Sequence, residues 1–232
     1  MKAKKAKNPP YYPIFLSLQG KKCVVVGGGE VAFRKVERLL ESGADVTVVS
    51  PTFDPGLAQL AKRKTIHPIQ RNYRSGDLKG AAIVIAATDM KETNRKVAEE
   101  ARKVKALVNV VDDPEPCDFI VPSFSRKGDL TIAVSTGGQS PALARKVRTR
   151  LEKTLGEDYA LLVPLIGDVR RTLKKKGVTV DAETWQEALD IDPLIQLIQR
   201  GRKREAKAIL LKSLTSQVQR RPPNMKMTCR AR

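Results

Sequence analysis

The sequence predicts an α/β fold: a doubly wound parallel sheet first, then a small central hairpin-and-helix region, then a helical C-terminal domain. Three observations carry this. Short apolar runs at Cys23–Val26, Asp45–Val49, Ala82–Ala86 and Leu107–Val111 alternate with helical spacing up to about residue 113, the pattern of parallel strands joined by helices. Asp113-Pro114-Glu115-Pro116 then breaks the pattern. It is followed by two strand-like runs, Phe119–Ser125 and Leu130–Ser135, around Arg126-Lys127-Gly128-Asp129, a hairpin signal. From Asp158 onward the apolar spacing is helical.

The first strand runs into Gly27, Gly28 and Gly29. Val31, Val36, Leu39, Leu40 and Gly43 then follow helical spacing, with Arg34, Lys35, Glu37 and Arg38 pointing elsewhere. Gly27-x-Gly29-x-x-Ala32 fits the dinucleotide fingerprint of a Rossmann-like domain. Gly27 permits a tight turn, Gly29 lets a pyrophosphate approach the backbone, and Ala32 lets the helix lie close. The helix N-terminus adds unpaired N–H groups. A bare glycine turn fits the same residues, although its place between strand and helix favours the cofactor. The second strand ends in Ser50-Pro51-Thr52, without a carboxylate for a ribose hydroxyl or an arginine for a ribose phosphate. Charge therefore does not choose between NAD and NADP.

Asp54 is positioned to cap a helix to Arg63, and Ile66–Gln70 fits a third strand. Ala82–Ala86 runs into Ala87-Thr88-Asp89. A helix over Glu92–Lys103 puts Val97, Ala101 and Val104 on one face. In such sheets ligands lie beyond the C-terminal strand ends. That edge carries Gly27–Val31, Ser50–Thr52, Ala87–Asp89 and Asn109–Asp113.

After the hairpin comes Thr136-Gly137-Gly138-Gln139-Ser140-Pro141. Ser140 suits a helix cap and Pro141 the first helical position. That helix reaches about Leu155, with a stripe of Leu143, Val147, Leu151 and Leu155 fit for a core or a subunit contact. Further helices are expected over Tyr159–Lys176, Thr184–Leu189, from a cap at Asp192 to Arg200, and over Lys203–Val218. Arg220–Arg232, basic and holding Pro222-Pro223, is expected to be disordered. The resulting division is 1–113, 114–156, 157–219 and 220–232.

Composition narrows the function. The 232 residues carry a net charge of +19, which suits an anionic small molecule or nucleic acid. Four Tyr, five Phe and one Trp are too few for base-stacking platforms, and much of the charge lies in the tails, so nucleic acid is disfavoured. No apolar run is long enough to span a membrane, and the lysine-rich start has no apolar stretch behind it. Three dispersed cysteines, Cys23, Cys117 and Cys229, fit a reduced, cytoplasmic protein. With His67 the only histidine, neither a zinc site nor a Ser–His–Asp site is expected.

Asp112 and Asp113 follow the fifth strand at the ligand edge. There a carboxylate can act as a general base, and equally an Asp pair before proline can simply make a turn. Asn109 can orient a ligand or satisfy backbone groups. Ser135 and Thr136 can bond a ligand or cap the turn.

The runs Tyr12–Leu16, Cys23–Pro51, Ile85–Asp89, Asn109–Ser123 and Leu130–Arg148 together resemble the dehydrogenase–ferrochelatase module of siroheme synthase, which also exists free-standing. The resemblance covers about residues 11–167 and, more loosely, the helical tail. It implies NAD-dependent dehydrogenation of the anionic tetrapyrrole precorrin-2 to sirohydrochlorin. In many members insertion of ferrous iron, as substrate, follows. It also implies a homodimer joined through the central region. Its cofactor contacts map onto Gly29, Glu30, Val31, Pro51 and Thr52, to which position at the edge adds Gly27 and Thr88. Its key carboxylate maps onto Asp112, which raises that residue above a turn role. Substrate contacts are expected at Asn109, Ser123, Thr136, Gly137 and Ser140. Thr136 stands where some bacterial members carry serine. No protein metal site is implied, because the macrocycle nitrogens hold the iron. The methyltransferase of the longer synthases has no counterpart in these residues, so methylation is not expected. Open alternatives are a dehydrogenase without chelatase activity, an NAD-sensing regulatory module and, more remotely, a basic nucleic-acid binder.

Overall fold

A computed structural model describes residues 11–155 and 157–220. The basic stretch 221–232 and the lysines of 1–7 lie outside the described residues. The chain divides into two compact units. One comprises Met1–Val121 with Gly137–Gln139; the other comprises Pro122–Thr136 and Ser140–Arg232.

The first unit is built on five parallel strands. They are β1 (Lys22–Val26), β2 (Asp45–Val49), β3 (His67–Ile69), β4 (Ile83–Ala86) and β5 (Leu107–Val110), in the order β3-β2-β1-β4-β5. Helices α1 (Glu30–Glu41), α2 (Pro55–Lys62) and α3 (Lys91–Lys103) make the crossovers. Side-chain alternation splits the core into two layers. Cys23, Val25, Val46, Val48, Ile83 and Ile85 meet Ala32, Val36 and Leu39 of α1 and Leu57 of α2. Val24, Val26, Val84, Ala86, Val108 and Val110 meet Val97, Ala98 and Ala101 of α3. Both faces are covered, which is why the strands read as unbroken apolar runs. The strand order reverses between β1 and β4, the place where such sheets open a ligand crevice.

Two details of α1 depart from its apolar spacing. Val31 is exposed, and the buried stripe is Ala32, Val36 and Leu39. Lys35 is half-buried, while Arg34, Glu37 and Arg38 face solvent. Val104 of the α3 face likewise lies exposed, beyond the helix end.

The second unit holds the hairpin β6 (Ser123–Lys127) and β7 (Leu130–Val134), then α4 (Pro141–Leu155), α5 (Asp158–Lys175), α6 (Ala182–Ala188), α7 (Ile191–Gln199) and α8 (Lys203–Arg220). Pairing of Lys127 with Leu130 leaves a two-residue Gly128-Asp129 turn, so Arg126 and Lys127 are strand rather than turn. Phe119–Pro122, expected as strand, is irregular. The α7 cap position is Asp190 rather than Asp192, which lies in the first turn. Leu162, Leu165, Val169 and Leu173 of α5 pack with Leu194 and Ile198 of α7 and Ala206, Leu210 and Leu214 of α8. This burial carries α5 through Pro164, although an interior proline costs about 3 kcal/mol. On α4 only Ala144 is buried. Leu143, Val147 and Leu151 are exposed, so the α4 stripe is not core within this chain. Among the described residues no helix is long and apolar enough to cross a membrane.

Candidate active site

The turn after β1 is tied to its neighbours by backbone bonds. The Gly27 N–H donates to Val49 O (2.9 Å), the Asp54 N–H to Gly28 O (2.7 Å), and the Ala87 N–H to Val26 O (2.8 Å). Three strand ends are thereby locked together. The glycines have different reasons to be glycine. Gly27 has φ +128°, and a Cβ there would lie 2.2 Å from Ala87 O. A Cβ on Gly28 would lie 1.9 Å from Thr52 O. A Cβ on Gly29 would meet nothing within 4 Å. The protein itself thus demands glycine at 27 and 28, and leaves open space at 29. Gly28 falls outside the fingerprint spacing and was missed by it; the run of three glycines was its only trace in the sequence. Gly29 is the N-cap of α1, and no side chain caps that helix. Open space in front of an uncapped helix N-terminus fits a dinucleotide pyrophosphate. Glu30 and Val31 form its exposed first turn.

At the β2 end, Pro51 and Thr52 are exposed and Ser50 is buried. The nearest acid, Asp54, is committed to capping α2 through the Gly56 N–H at 2.8 Å. After β4, the Thr88 hydroxyl donates to Asn94 Oδ1 (2.7 Å) and accepts the Met90 N–H (3.2 Å), while the Asn94 amide donates to Thr88 O. The hydroxyl of Thr88 is occupied by the start of α3, and its backbone lies at the edge.

The turn after β5 separates the two aspartates. Asp112 has φ +59°, the left-handed region that few non-glycine residues occupy. Its exposed carboxylate takes no hydrogen bond from any described residue. Asp113 Oδ1 accepts the Glu115 N–H at 3.4 Å, and Asp113 O accepts the Cys117 thiol at 3.1 Å. The turn role belongs to Asp113, and Asp112 is left free. The turn is held from beneath. Cys117 Sγ accepts the Val110 N–H at 3.1 Å, Asp118 accepts the Val108 N–H at 2.9 Å, and the buried Asn109 amide donates to Phe119 O at 3.0 Å. Asn109 is therefore spent on backbone, and the same bonds hold Phe119 out of the hairpin. Burial raises the Cys117 thiol above its ordinary range, and pushes Cys23 up to about 11; both stay neutral thiols.

His67 pairs with Asp45 at 2.8 Å. These are the first residues of β3 and β2, at the opposite end of the sheet from the glycine turn.

In the second unit, Ser123 opens β6 and is half-buried. Thr136 Oγ1 accepts the Ser140 N–H at 2.9 Å, and Ser140 Oγ accepts the Leu143 N–H at 3.2 Å. Both hydroxyls thus shape the start of α4. Gly137 and Gly138, which count with the first unit, have φ +63° and +82°, so the loop needs its glycines. Gly27, Gly29, Glu30, Val31, Pro51, Thr52, Thr88, Asn109 and Asp112 all fall at the C-terminal edge of one sheet. Among the described residues no group of three or more His, Cys, Asp or Glu is placed to hold a metal.

Comparison with known proteins adds to this geometry. Residues 14–123 match a family described as putative NAD(P)-binding, and residues 127–154 match one described as sirohaem biosynthesis protein central. A siroheme synthase of Thioalkalivibrio sulfidiphilus is 41% identical over 208 residues, covering 88% of this chain and 42% of that protein. One from Methylobacillus flagellatus is 45% identical over 167 residues, covering 72% and 36%. The chain thus spans about two fifths of the length of these relatives. A solved structure of SirC, precorrin-2 dehydrogenase, superposes with TM-score 0.69 at 25% identity, covering 87% of this chain and all of that one.

Proposed function

We propose, for a chain that belongs over residues 14–154 to the siroheme synthase N-terminal module family, that it dehydrogenates precorrin-2 to sirohydrochlorin with NAD. The observation that carries this reading is the pairing, on one sheet edge, of an open glycine turn at Gly29 with the unengaged carboxylate of Asp112.

When bound, NAD supplies the hydride acceptor. The backbone from Gly27 through Val31 receives the pyrophosphate, Pro51 and Thr52 border the ribose, and Thr88 contributes its backbone. Asp112 takes the proton that leaves the macrocycle with the hydride, so that the substrate loses two hydrogens as H⁻ and H⁺. A carboxylate free of hydrogen bonds keeps its lone pairs for that proton. Asn109, positioned beneath the turn, keeps Asp112 in place, while Ser123, Thr136, Gly137 and Ser140 are proposed to border the substrate. The net charge of +19 favours the acetate and propionate groups of the tetrapyrrole.

Insertion of ferrous iron is the proposed second step, with Asp112 accepting pyrrole N–H protons and iron a substrate held by the macrocycle. The narrower reading, dehydrogenation alone, is supported by the likeness to SirC, a precorrin-2 dehydrogenase, which this chain covers over its whole length. Residues 1–113 are proposed as the cofactor domain, 114–156 as the contact of a homodimer and 157–219 as a helical domain. The exposed Leu143, Val147 and Leu151 stripe supports the dimer, because such a stripe costs free energy unless covered.

The test is spectroscopic: the purified protein, precorrin-2 generated without air, and NAD, followed by ferrous ion. NADH with the sirohydrochlorin spectrum is the expected result. A further metal-dependent change faster than in a protein-free control adds the chelatase, and its absence leaves the dehydrogenase alone. No NADH with either nicotinamide cofactor overturns the reading.

A further inference from the structure

The tip of β2 does not choose the cofactor, because Ser50-Pro51-Thr52 offers neither an acid nor an arginine. The loop after β3 does offer an arginine. The Ser50 N–H and the Arg71 N–H donate to the same carbonyl, Ile69 O, at 3.1 and 3.0 Å. The backbone of Arg71, two residues beyond β3, thus lies beside the residue that follows β2. In sheets of this order an acid at the end of the second strand holds the adenosine ribose of NAD, and an arginine near it takes the 2′-phosphate of NADP. Arg71 has the place of that arginine.

Its bonds withhold it from that duty. Arg71 Nη1 and Nη2 donate to the two carboxylate oxygens of Asp77 at 2.8 and 2.7 Å, and Nη1 also donates to Asn72 O at 3.0 Å. Two parallel bonds of this kind are the strongest that a guanidinium makes with a carboxylate. They hold the Asp77 carboxyl below its ordinary range, so the pair stays ionised. The Asp77 side chain is only 8% exposed, against 35% for Arg71; the acid is the fixed member, and the guanidinium is the one that reaches solvent. The loop that carries them is anchored in turn. Asp77 Oδ2 accepts the Arg74 N–H at 2.9 Å. Buried Glu100 of α3 accepts the Gly76 N–H at 3.0 Å, the Leu78 N–H at 3.3 Å and the Tyr73 hydroxyl. Arg71 is therefore engaged by an acid that cannot swing away.

We propose that the Arg71–Asp77 pair is the specificity determinant for the cofactor: Asp77 engages the arginine that the fold places beside the adenosine ribose, and so disfavours the 2′-phosphate of NADP. The inference rests on the reading of the glycine turn after β1 as the dinucleotide site. It explains how a chain without an acid on β2 prefers NAD. The ribose hydroxyl is not gripped; the extra phosphate is denied a partner, and must break the fork or meet the Asp77 charge. Arg74 is exposed in the same loop, three residues farther along, and serves as the control cation.

The test is calorimetric titration of the full chain with NAD and with NADP, in the absence of tetrapyrrole. The readout is the ratio of the two affinities, because damage to the loop alone weakens both cofactors alike. Asp77→Asn keeps an acceptor for the Arg74 N–H and releases the guanidinium. It is expected to move the ratio toward NADP about tenfold, the scale of one charge-assisted bond. Arg71→Met leaves Asp77 without its partner and is expected to move the ratio the other way. The double variant Arg71→Met, Asp77→Asn returns it to the wild-type value, and Arg74→Met leaves it there. An unchanged ratio in a folded Asp77→Asn or Arg71→Met protein overturns the proposal. So does a gain for NADP that survives in the double variant or is abolished by adding Arg74→Met to Asp77→Asn. Binding needs no turnover, so the result stands apart from the dehydrogenase reading. A wild type that binds neither cofactor overturns the dinucleotide site and the proposal with it.

Discussion

The turn after β5 and the loop before α4 look alike in sequence. Each places small and polar residues with oxygen acceptors between a strand and a helix or break. The folded protein uses them in opposite ways. In the loop before α4 the Thr136 and Ser140 hydroxyls take backbone N–H groups of the following turn. In the turn after β5 the structural duties fall on Asp113, Cys117, Asp118 and Asn109, and Asp112 is left with none. The glycines repeat the contrast, for Gly27 and Gly28 are pressed against backbone while Gly29 faces open space. A group that the fold has already engaged is explained by the fold. A group held in a sparsely populated conformation and left unengaged points to a ligand.

Substitutions can break this contrast. Gly29→Asp should weaken NAD binding about a hundredfold, since it places a carboxylate where the pyrophosphate lies, and should leave Tm unchanged. Calorimetric titration and thermal melts check both; unaltered affinity would put the cofactor elsewhere. Gly28→Ala should do the reverse and cost stability, more than about 2 kcal/mol, because its Cβ would meet Thr52 O at 1.9 Å. A denaturant melt matching wild type would show that the β2 connection yields. Asn109→Ala should cost about 1–3 kcal/mol by leaving Phe119 O without its buried donor, and should lower turnover through loss of Asp112 placement. Turnover that falls while stability holds would return Asn109 to the substrate. Thr136→Val should cost about 1 kcal/mol, as lost caps do, and lower NADH formation only in step with that loss, by loosening the loop that borders the substrate. A large fall in rate without a change in Tm would make its hydroxyl a substrate contact.

Much of the sheet was legible because strands buried on both faces leave unbroken apolar runs, and because the helices between them follow a 3.6-residue stripe. The grouping of Gly27, Pro51, Thr88 and Asp112 at the C-terminal edge followed from strand–helix alternation, whereas the order β3-β2-β1-β4-β5 is visible only in the fold. Less legible were features decided by side-chain bonds over a distance. Phe119–Pro122 has the composition of a strand, yet Asn109 and Asp118 tie its approach to β5. Asp190 and Asp192 both precede apolar spacing, and only the backbone shows where α7 begins. Lys35 read as one more solvent-facing cation. It is half-buried instead, beside the buried stripe of α1. Residue type and position made Asp112 and Asp113 alike, and only the family resemblance separated them; in the fold Asp113 takes the turn bonds and Asp112 takes none.

The most direct measurement compares Asp112→Asn with Asp113→Asn in NADH formation from precorrin-2. Both substitutions remove one negative charge from the same turn and keep its shape, so a difference between them isolates the free carboxylate. The account predicts that Asp112→Asn lowers kcat by about 100-fold or more with NAD affinity intact, and that Asp113→Asn stays within a few-fold of wild type. Equal effects of the two substitutions, or a larger one at Asp113, would contradict it.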